Sequence, residues 1–204
     1  MGGGPGMALT AGVALLERAI NYTLGSLRVV TPGALCRPTP CAGWSLETLL
    51  DHVNDALRML NEAASGDISL GRLARKRAAC GGNPALLLRD DATEVLGIWA
   101  GTLTDDVISI HDRHLTSPIV AAVGAIELAV HGWDVARTCG EHRPIPPLMA
   151  EELLDLAQLF VTQADRPDRF AAQVTVPSHA PAQDHLLAYL GRDPTWPSCP
   201  DLGT

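Results

Sequence analysis

The segment AIELAVHGWDVARTCG, residues 125–140, carries the strongest structural signals in this sequence. Its apolar residues recur at the three- and four-residue spacing of a buried helix, and Gly140 stands where a left-handed residue ends a helix. Glu127 and His131 are four residues apart, so about 40° separates them around a helix axis and both side chains point into one space. Asp134 lies within about 20° of Glu127, on the side opposite His131. Charged groups therefore interrupt a buried face, and buried charge requires a partner.

A second histidine shows the same anomaly earlier in the chain. His52 is expected to face inward, because apolar residues surround it at helical spacing, namely Leu49, Ala56 and Met59. Helix bundles build metal sites from carboxylates and imidazoles that face inward from different helices. We therefore interpret His52, Glu127 and His131 as a candidate two-histidine, one-carboxylate site, which suits zinc and also nickel, manganese or ferrous iron. Three protein ligands leave at least one coordination position open for reactive chemistry.

Each of these residues also has a purely structural interpretation. Glu127 and His131 alone could be an ordinary hydrogen-bonded pair at i,i+4, and His52 alone could be a satisfied histidine of the core. The metal site depends on the combination of all three. Asp134 is the candidate catalytic residue, because it is expected to hydrogen-bond a ligand imidazole and would be the base in a metal-dependent hydrolase.

Helical periodicity extends over most of the chain and predicts an all-α protein. The predicted helices cover 10–29, 46–64 with Ser45 as the N-cap, 85–103, 117–139, 148–164 and 184–190. A turn is expected at 105–116 and an extended piece at 171–177. We interpret residues 1–204 as a single domain built on a four-helix bundle. Residues 1–8 are expected to be a flexible start, and the C-terminal helix and tail, 141–204, to pack on the bundle.

Composition excludes several classes of protein. The formal net charge is -8, from 15 basic against 23 acidic residues, and this field opposes binding to nucleic acid or to anionic lipid. The longest apolar run, 119–130, is short for a membrane span and contains Glu127. The first residues lack the features of a signal peptide, which predicts a cytoplasmic protein. The five cysteines contain no C-x-x-C and indicate neither a disulfide framework nor a thiolate zinc site.

The chain resembles the DinB-like, mycothiol-dependent maleylpyruvate isomerase N-terminal family of actinobacterial metal-binding proteins. The resemblance rests on four segments in the family's order and spacing: TPCAGWSLETLLDHV (39–53), NPALLLRDDATEVLGIWAGT (83–102), ELAVHGWDVARTCG (127–140) and HLLAYLGRDPTW (185–196). It implies an up-down-down-up four-helix bundle. It also implies a divalent metal held by one histidine of the second helix and by a glutamate and a histidine of the fourth. These roles fall on His52, Glu127 and His131.

The same resemblance implies a metal-dependent thiol S-transferase, with zinc as the leading metal and mycothiol as the thiol cosubstrate. Coordination to a dication deprotonates a thiol that is mostly neutral at pH 7, and the thiolate would attack an electrophilic small molecule or biosynthetic intermediate. A thiol-dependent isomerase of the maleylpyruvate type is a close alternative. A metal-dependent hydrolase and a non-catalytic metal-binding regulator are further alternatives. The chain is expected to be a monomer or a homodimer.

Other notable residues are expected to be structural. Trp44 should pack a loop against a helix rather than stack on a ligand. Cys41 should be structural, because Arg37 is the only basic residue near it in the sequence. Arg192 should tie the tail to the bundle, and the metal-like sequence His-Asp-Arg-His at 111–114 should lie in a turn.

Overall fold

A computed structural model of the chain describes residues 5–64, 84–101, 107–110, 113–167 and 169–197. These residues form the helices α1 (Pro5–Leu27), α2 (Leu46–Ala64), α3 (Pro84–Gly101), α4 (Ser117–Thr138), α5 (Pro147–Phe160) and α6 (Ala182–Tyr189). A short hairpin of strands β1 (Val107–Ile110) and β2 (Arg113–Thr116) precedes α4. The predicted all-α class is confirmed, since the helices build the architecture.

The hairpin corrects one local prediction. Residues 105–116 were expected to form a turn, but β1 and β2 pair in antiparallel register, with Val107 opposite Thr116 and Ile110 opposite Arg113. Four-residue strands joined across two residues are too short to show a clear alternating pattern in the sequence. The side chains of the 111–114 sequence and the whole of 65–83 lie outside the described residues.

The helix ends follow local capping chemistry. α2 begins after Ser45 as predicted, and the Ser45 hydroxyl accepts a hydrogen bond from the Thr48 N–H at 3.3 Å. Gly140 has a φ of +86°, the left-handed conformation predicted for the end of α4. α1 begins at Pro5, inside the segment expected to be flexible, because proline is well suited to the first turn of a helix. α5 ends at Phe160, four residues before its predicted end.

The four long helices run up, down, down and up. α1 and α4 are parallel, because Gly12 lies beside Pro118 and Gly132 lies beside Thr23. α2 runs antiparallel to α4, since Leu60 meets Gly124 at one end and His52 meets Glu127 further along. α2 and α3 are parallel, and Trp99 near the end of α3 donates a hydrogen bond to the Leu60 carbonyl near the end of α2.

α4 is the central helix of this bundle. By length and hydropathy its segment Pro118–Thr138 could cross a membrane, but 78% of the residues in that window are buried inside the protein. Its apolar character therefore matches that of a core helix, which is in contact with other helices on nearly every side.

The C-terminal segment packs on the bundle through α5, which contacts α4, and α6, which contacts α5. Polar contacts add to this packing. The Tyr22 hydroxyl donates to the Arg143 carbonyl at 2.6 Å, and Arg137 donates to the Trp196 carbonyl at 2.7 Å. The C-terminal segment is consequently held against both α1 and α4.

Two helical glycines give a matched test of the α1–α4 packing. A Cβ on Gly132 would lie 2.7 Å from the Thr23 hydroxyl oxygen, and that hydroxyl is held by a 2.6 Å hydrogen bond to the Leu128 carbonyl. We expect Gly132→Ala to lower the free energy of unfolding by about 1–3 kcal/mol, because the two backbones would have to separate. Denaturant unfolding measures this change.

Gly97→Ala on α3 is the control. Apart from its chain neighbours and the backbone of its own helix, no atom of the described residues lies within 4 Å of a Cβ built on Gly97. Alanine is the better helix former, so this substitution should raise the free energy of unfolding by up to about 1 kcal/mol. Equal effects of the two substitutions would contradict the close α1–α4 contact.

Candidate metal centre

The antiparallel pairing of α2 and α4 brings three potential ligands together. His52 Nε2 lies 2.5 Å from Glu127 Oε1, and His131 Nε2 lies 3.5 Å from the same oxygen. One ligand atom from each of the three residues lies within 4.8 Å of the others. The residues predicted from the sequence therefore converge, although 75 residues separate His52 from Glu127.

The donor set fits a divalent cation. Two imidazole nitrogens face one carboxylate oxygen, so each imidazole must carry a proton toward that oxygen or a cation must lie between them. Two imidazoles and a carboxylate are a ligand set of catalytic zinc sites and of related divalent metals. Glu127 is also within reach of His131 as an i,i+4 partner, so this pair alone does not distinguish a ligand from a structural contact.

Asp134 holds the ring of His131 in one orientation from the buried side. His131 Nδ1 donates to Asp134 Oδ2 at 3.0 Å, and Asp134 has no exposed surface. A proton held on Nδ1 leaves Nε2 available as the ligand atom, which is the usual arrangement of metal-binding histidines. Asp134 is therefore placed to fix the ring of His131, and His131 itself lines the cleft.

Arg192 completes this buried network from the C-terminal tail. Its Nη2 lies 3.4 Å from Asp134 Oδ2, and the residue is 8% exposed. Arg192 thus ties the tail to α4, as expected from the sequence. The buried Asp134 carboxylate thus has an imidazole and a guanidinium as partners, and both contact its Oδ2 atom.

The charges of the cluster shift its protonation. Burial acts to raise the pKa of Glu127, but hydrogen bonds from His131 and His52 outweigh it and hold that pKa well below the usual range. Burial acts to lower the pKa of His131, yet the hydrogen bonds to Asp134 and Glu127 raise it above its ordinary value. Glu127 is therefore an anion, and its negative charge attracts either protons on the histidines or a metal cation.

Trp44 packs its loop against α2 and α4, as predicted, with its ring nearly parallel to the His131 ring at 6.1 Å and edge-on to the His52 ring at 4.9 Å. Trp44 also lines the cleft.

One expectation about Cys41 needs correction. Cys41 has a basic neighbour other than Arg37, because Arg192 Nη2 lies 3.8 Å from its sulfur. The sequence could not indicate that contact, since 151 residues separate the pair. Arg37 instead donates to the Thr138 carbonyl.

The burial of Cys41 keeps its thiol protonated. Burial raises the pKa of Cys41, and the nearby Arg192 only partly opposes that effect. A thiol of raised pKa is a weak nucleophile at neutral pH. Cys41 is therefore not activated by its surroundings, in keeping with the structural role predicted for it.

A cleft of about 670 Å³ opens above the cluster. α2 and α4 form its floor, and the tail forms the opposite wall with Phe170 and Arg192. Sequence reasoning missed this wall, because residues 167 and 169–171 carry no motif and reach the site only when the tail packs on the bundle. The volume lies within the range of about 300–1,000 Å³ that is typical of small-molecule sites.

Comparison with known proteins gives a family match over the bundle. The sequence model of the family described as "Mycothiol maleylpyruvate isomerase N-terminal domain" matches residues 16–136. This range contains the three candidate ligands and Asp134, whereas the tail segment 185–196 lies beyond it. No solved structure matches at a significant level.

Two curated relatives come from Mycobacterium tuberculosis, one from strain CDC 1551 / Oshkosh and one from strain ATCC 25618 / H37Rv. Each is named an uncharacterized protein and is 25% identical to this chain over 183 residues. The alignment covers 86% of this chain and 94% of each relative.

The burial of Asp134 beside Arg192 predicts that the loss of this carboxylate lowers the free energy of unfolding more than the loss of a surface carboxylate. Asp134→Asn removes the negative charge beside buried Arg192, so we expect a loss of about 3 kcal/mol or more in the free energy of unfolding. Glu152→Gln is the control, because Glu152 pairs with Arg18 on the surface and both side chains are more than 40% exposed. That loss should stay below about 1 kcal/mol in denaturant unfolding. Similar losses of stability in the two variants would show that the buried contacts of Asp134 do not stabilise the fold more than a surface ion pair does.

Proposed function

Because the chain belongs to the mycothiol maleylpyruvate isomerase N-terminal domain family, we propose that it is a metal-dependent thiol S-transferase. In this proposal the enzyme joins a low-molecular-weight thiol, mycothiol in the first instance, to an electrophilic small molecule. The observation that carries the proposal is the convergence of His52, Glu127 and His131 at the base of an open cleft.

The three residues are the proposed metal ligands. Zinc is the leading candidate, and nickel, manganese or ferrous iron would accept the same donors. A divalent ion bound there would lower the pKa of a thiol that shares the site, as it lowers the pKa of bound water. His52 and Glu127 are half-buried, which leaves room for a substrate atom on the cleft side.

The surrounding residues would hold this arrangement in place. Asp134 keeps the His131 ring in one orientation and Trp44 packs against both imidazoles, so the ligands need little rearrangement. Cys41 shares the cleft, but its raised pKa argues against it as the nucleophile. The proposed reaction therefore takes its sulfur from a bound thiol rather than from the protein.

The family description also supports a second candidate, a thiol-dependent isomerase. The two reactions share the first step, in which the thiol adds to an electrophilic carbon. They differ in whether the thiol remains in the product or leaves again. Hydrolysis with Asp134 as the base has less support, because Asp134 is fully buried beneath His131.

Measurements of metal content test whether Glu127 is a metal ligand or only a structural partner of His131. Glu127→Gln keeps the shape of the side chain and loses its charge, so we expect the protein to stay folded while its metal affinity falls at least about tenfold. Elemental analysis of untagged protein should find close to one divalent metal per chain before the substitution. Circular dichroism and the melting temperature report on the fold.

His142→Ala is the control for this experiment, since His142 is an exposed histidine beyond the end of α4. It should leave the metal content unchanged, whereas His131→Ala should remove most of the metal. Full metal binding in both His52→Ala and His131→Ala would reject the site. Unchanged affinity in Glu127→Gln would make that residue only a partner of His131.

Thiol dependence tests the reaction itself. Turnover of a bimane-type electrophile, measured by fluorescence, should require both metal and a sugar-based thiol such as mycothiol. Turnover should persist in Cys41→Ser, because the raised pKa of the partly buried Cys41 thiol makes it a weak nucleophile. Equal turnover without any added thiol would favour hydrolysis and contradict the transferase.

A further inference from the structure

The cleft continues from the polar cluster into an apolar trough along α2 and α4. We define the apolar trough by six residues that line the cleft, Ala56, Met59, Leu60, Val120, Val123 and Gly124. Met59 is 38% exposed and Val123 is 40% exposed, and both are among the large hydrophobic residues that the described chain leaves open to solvent. Exposed apolar surface inside a concave site is typical of a ligand contact.

The trough begins at the proposed metal ligands. Because α2 and α4 are antiparallel, Met59 follows His52 by two helical turns and Val120 precedes Glu127 by two turns toward the same end of the bundle. At 1.5 Å per residue, the trough extends about 10 Å from the cluster. Gly124 forms part of its floor, since a Cβ there would lie 2.6 Å from Leu60 Cδ2.

Among the described residues, no arginine or lysine of α2 or α4 lines the cleft. Two cations line the described part of the cleft, and each already has a carboxylate partner: Arg192 pairs with Asp134, and Arg169 pairs with Asp165 at 3.3 Å. Asp55 also lines the cleft and is exposed. Within the described part of the chain, the trough therefore offers apolar contact and the cations that line the cleft already have carboxylate partners.

We propose that the apolar trough binds an uncharged alkyl or aryl body of the electrophilic substrate, so that apolar electrophiles are preferred over small dianionic ones. This inference rests on the proposed function for the identity of the reaction. A small-molecule occupant is favoured over a protein partner, because the trough is continuous with the polar cluster and the tail closes the facing wall with Pro167 and Phe170.

A homologous series of 1,2-epoxyalkanes provides suitable electrophiles. The thiol sulfur forms a bond to an epoxide carbon, the bond from that carbon to oxygen breaks, and the oxygen receives the proton that the thiol loses. The product is a β-hydroxy thioether, and no oxidant or reductant is needed. The corresponding 1,2-alkanediols have the same chains without the reactive ring and measure binding separately from turnover.

Binding of the diols to the metal-containing protein is the first arm, measured by calorimetry from butanediol to decanediol. Affinity should rise roughly two- to fourfold for each added methylene, because each methylene leaves water for the apolar trough. kcat/KM for the matching epoxides with mycothiol should rise in parallel. Affinity that does not depend on chain length would overturn the inference.

A double substitution tests the trough residues directly. Met59→Gln combined with Val123→Thr places neutral polar atoms on the trough with little change in size. Decanediol should bind about tenfold more weakly, because its chain would lie against polar groups that it cannot pair. Butanediol affinity and metal content should not change. Leu159→Gln on α5 is the control, since Leu159 is 69% exposed outside the cleft, and it should leave both diols unaffected.

The outcomes distinguish this inference from the proposed function. Chain-length-dependent binding of the diols without turnover of any epoxide would support the trough and contradict the transferase. Thiol-dependent turnover of the bimane-type electrophile, with no effect of chain length on either diol or epoxide, would support the transferase and overturn the trough. An equal loss of butanediol and decanediol binding in the double variant would also overturn it.

Discussion

The structure depends on one constraint, which is that the most buried helix carries three ionisable side chains close together. Glu127, His131 and Asp134 lie within two turns of α4, and apart from Ser117, Arg137 and Thr138 the rest of that helix is apolar. Each needs a partner, because unpaired charge in the interior is expensive. His52 on α2 is the partner of Glu127, and Arg192 in the tail is the partner of Asp134. The same requirement therefore joins α2, α4 and the tail.

The residues of this network also divide into those that hold a ligand side chain in place and those that face the cleft. Asp134 is buried on the inner side of His131, whereas His52 and Glu127 are half-exposed on the cleft side. Asp134 can therefore fix the orientation of His131 without touching a substrate. His52 and Glu127 can gain or lose contact with a bound group while the protein stays folded. A rigid ligand set beneath an open cleft is the arrangement that metal-dependent small-molecule chemistry requires.

Local patterns predicted the parts of the fold that depend on neighbouring residues. Ser45 and Gly140 marked helix ends correctly, because capping involves only the adjacent backbone. The hairpin before α4 was missed, because strands of four residues leave no clear period in the sequence. The early start of α1 at Pro5 was also missed, because the glycines before it have low helix propensity and hid the signal.

The sequence by itself determined the helical class and the candidate ligands. The spacing of Glu127 and His131 on one helix places them side by side in any fold that keeps the helix, and the apolar face around His52 indicated that this residue faces other helices. The sequence did not show that this face opens into a cleft, where Met59 is 38% exposed. Only the tertiary structure decided which groups meet. The antiparallel pairing of α2 and α4 brings His52 to Glu127, and packing of the tail brings Arg192 to Asp134 and Cys41. Such contacts join residues 58 to 151 positions apart, and they arise from the packing of whole elements, which local periodicity does not encode.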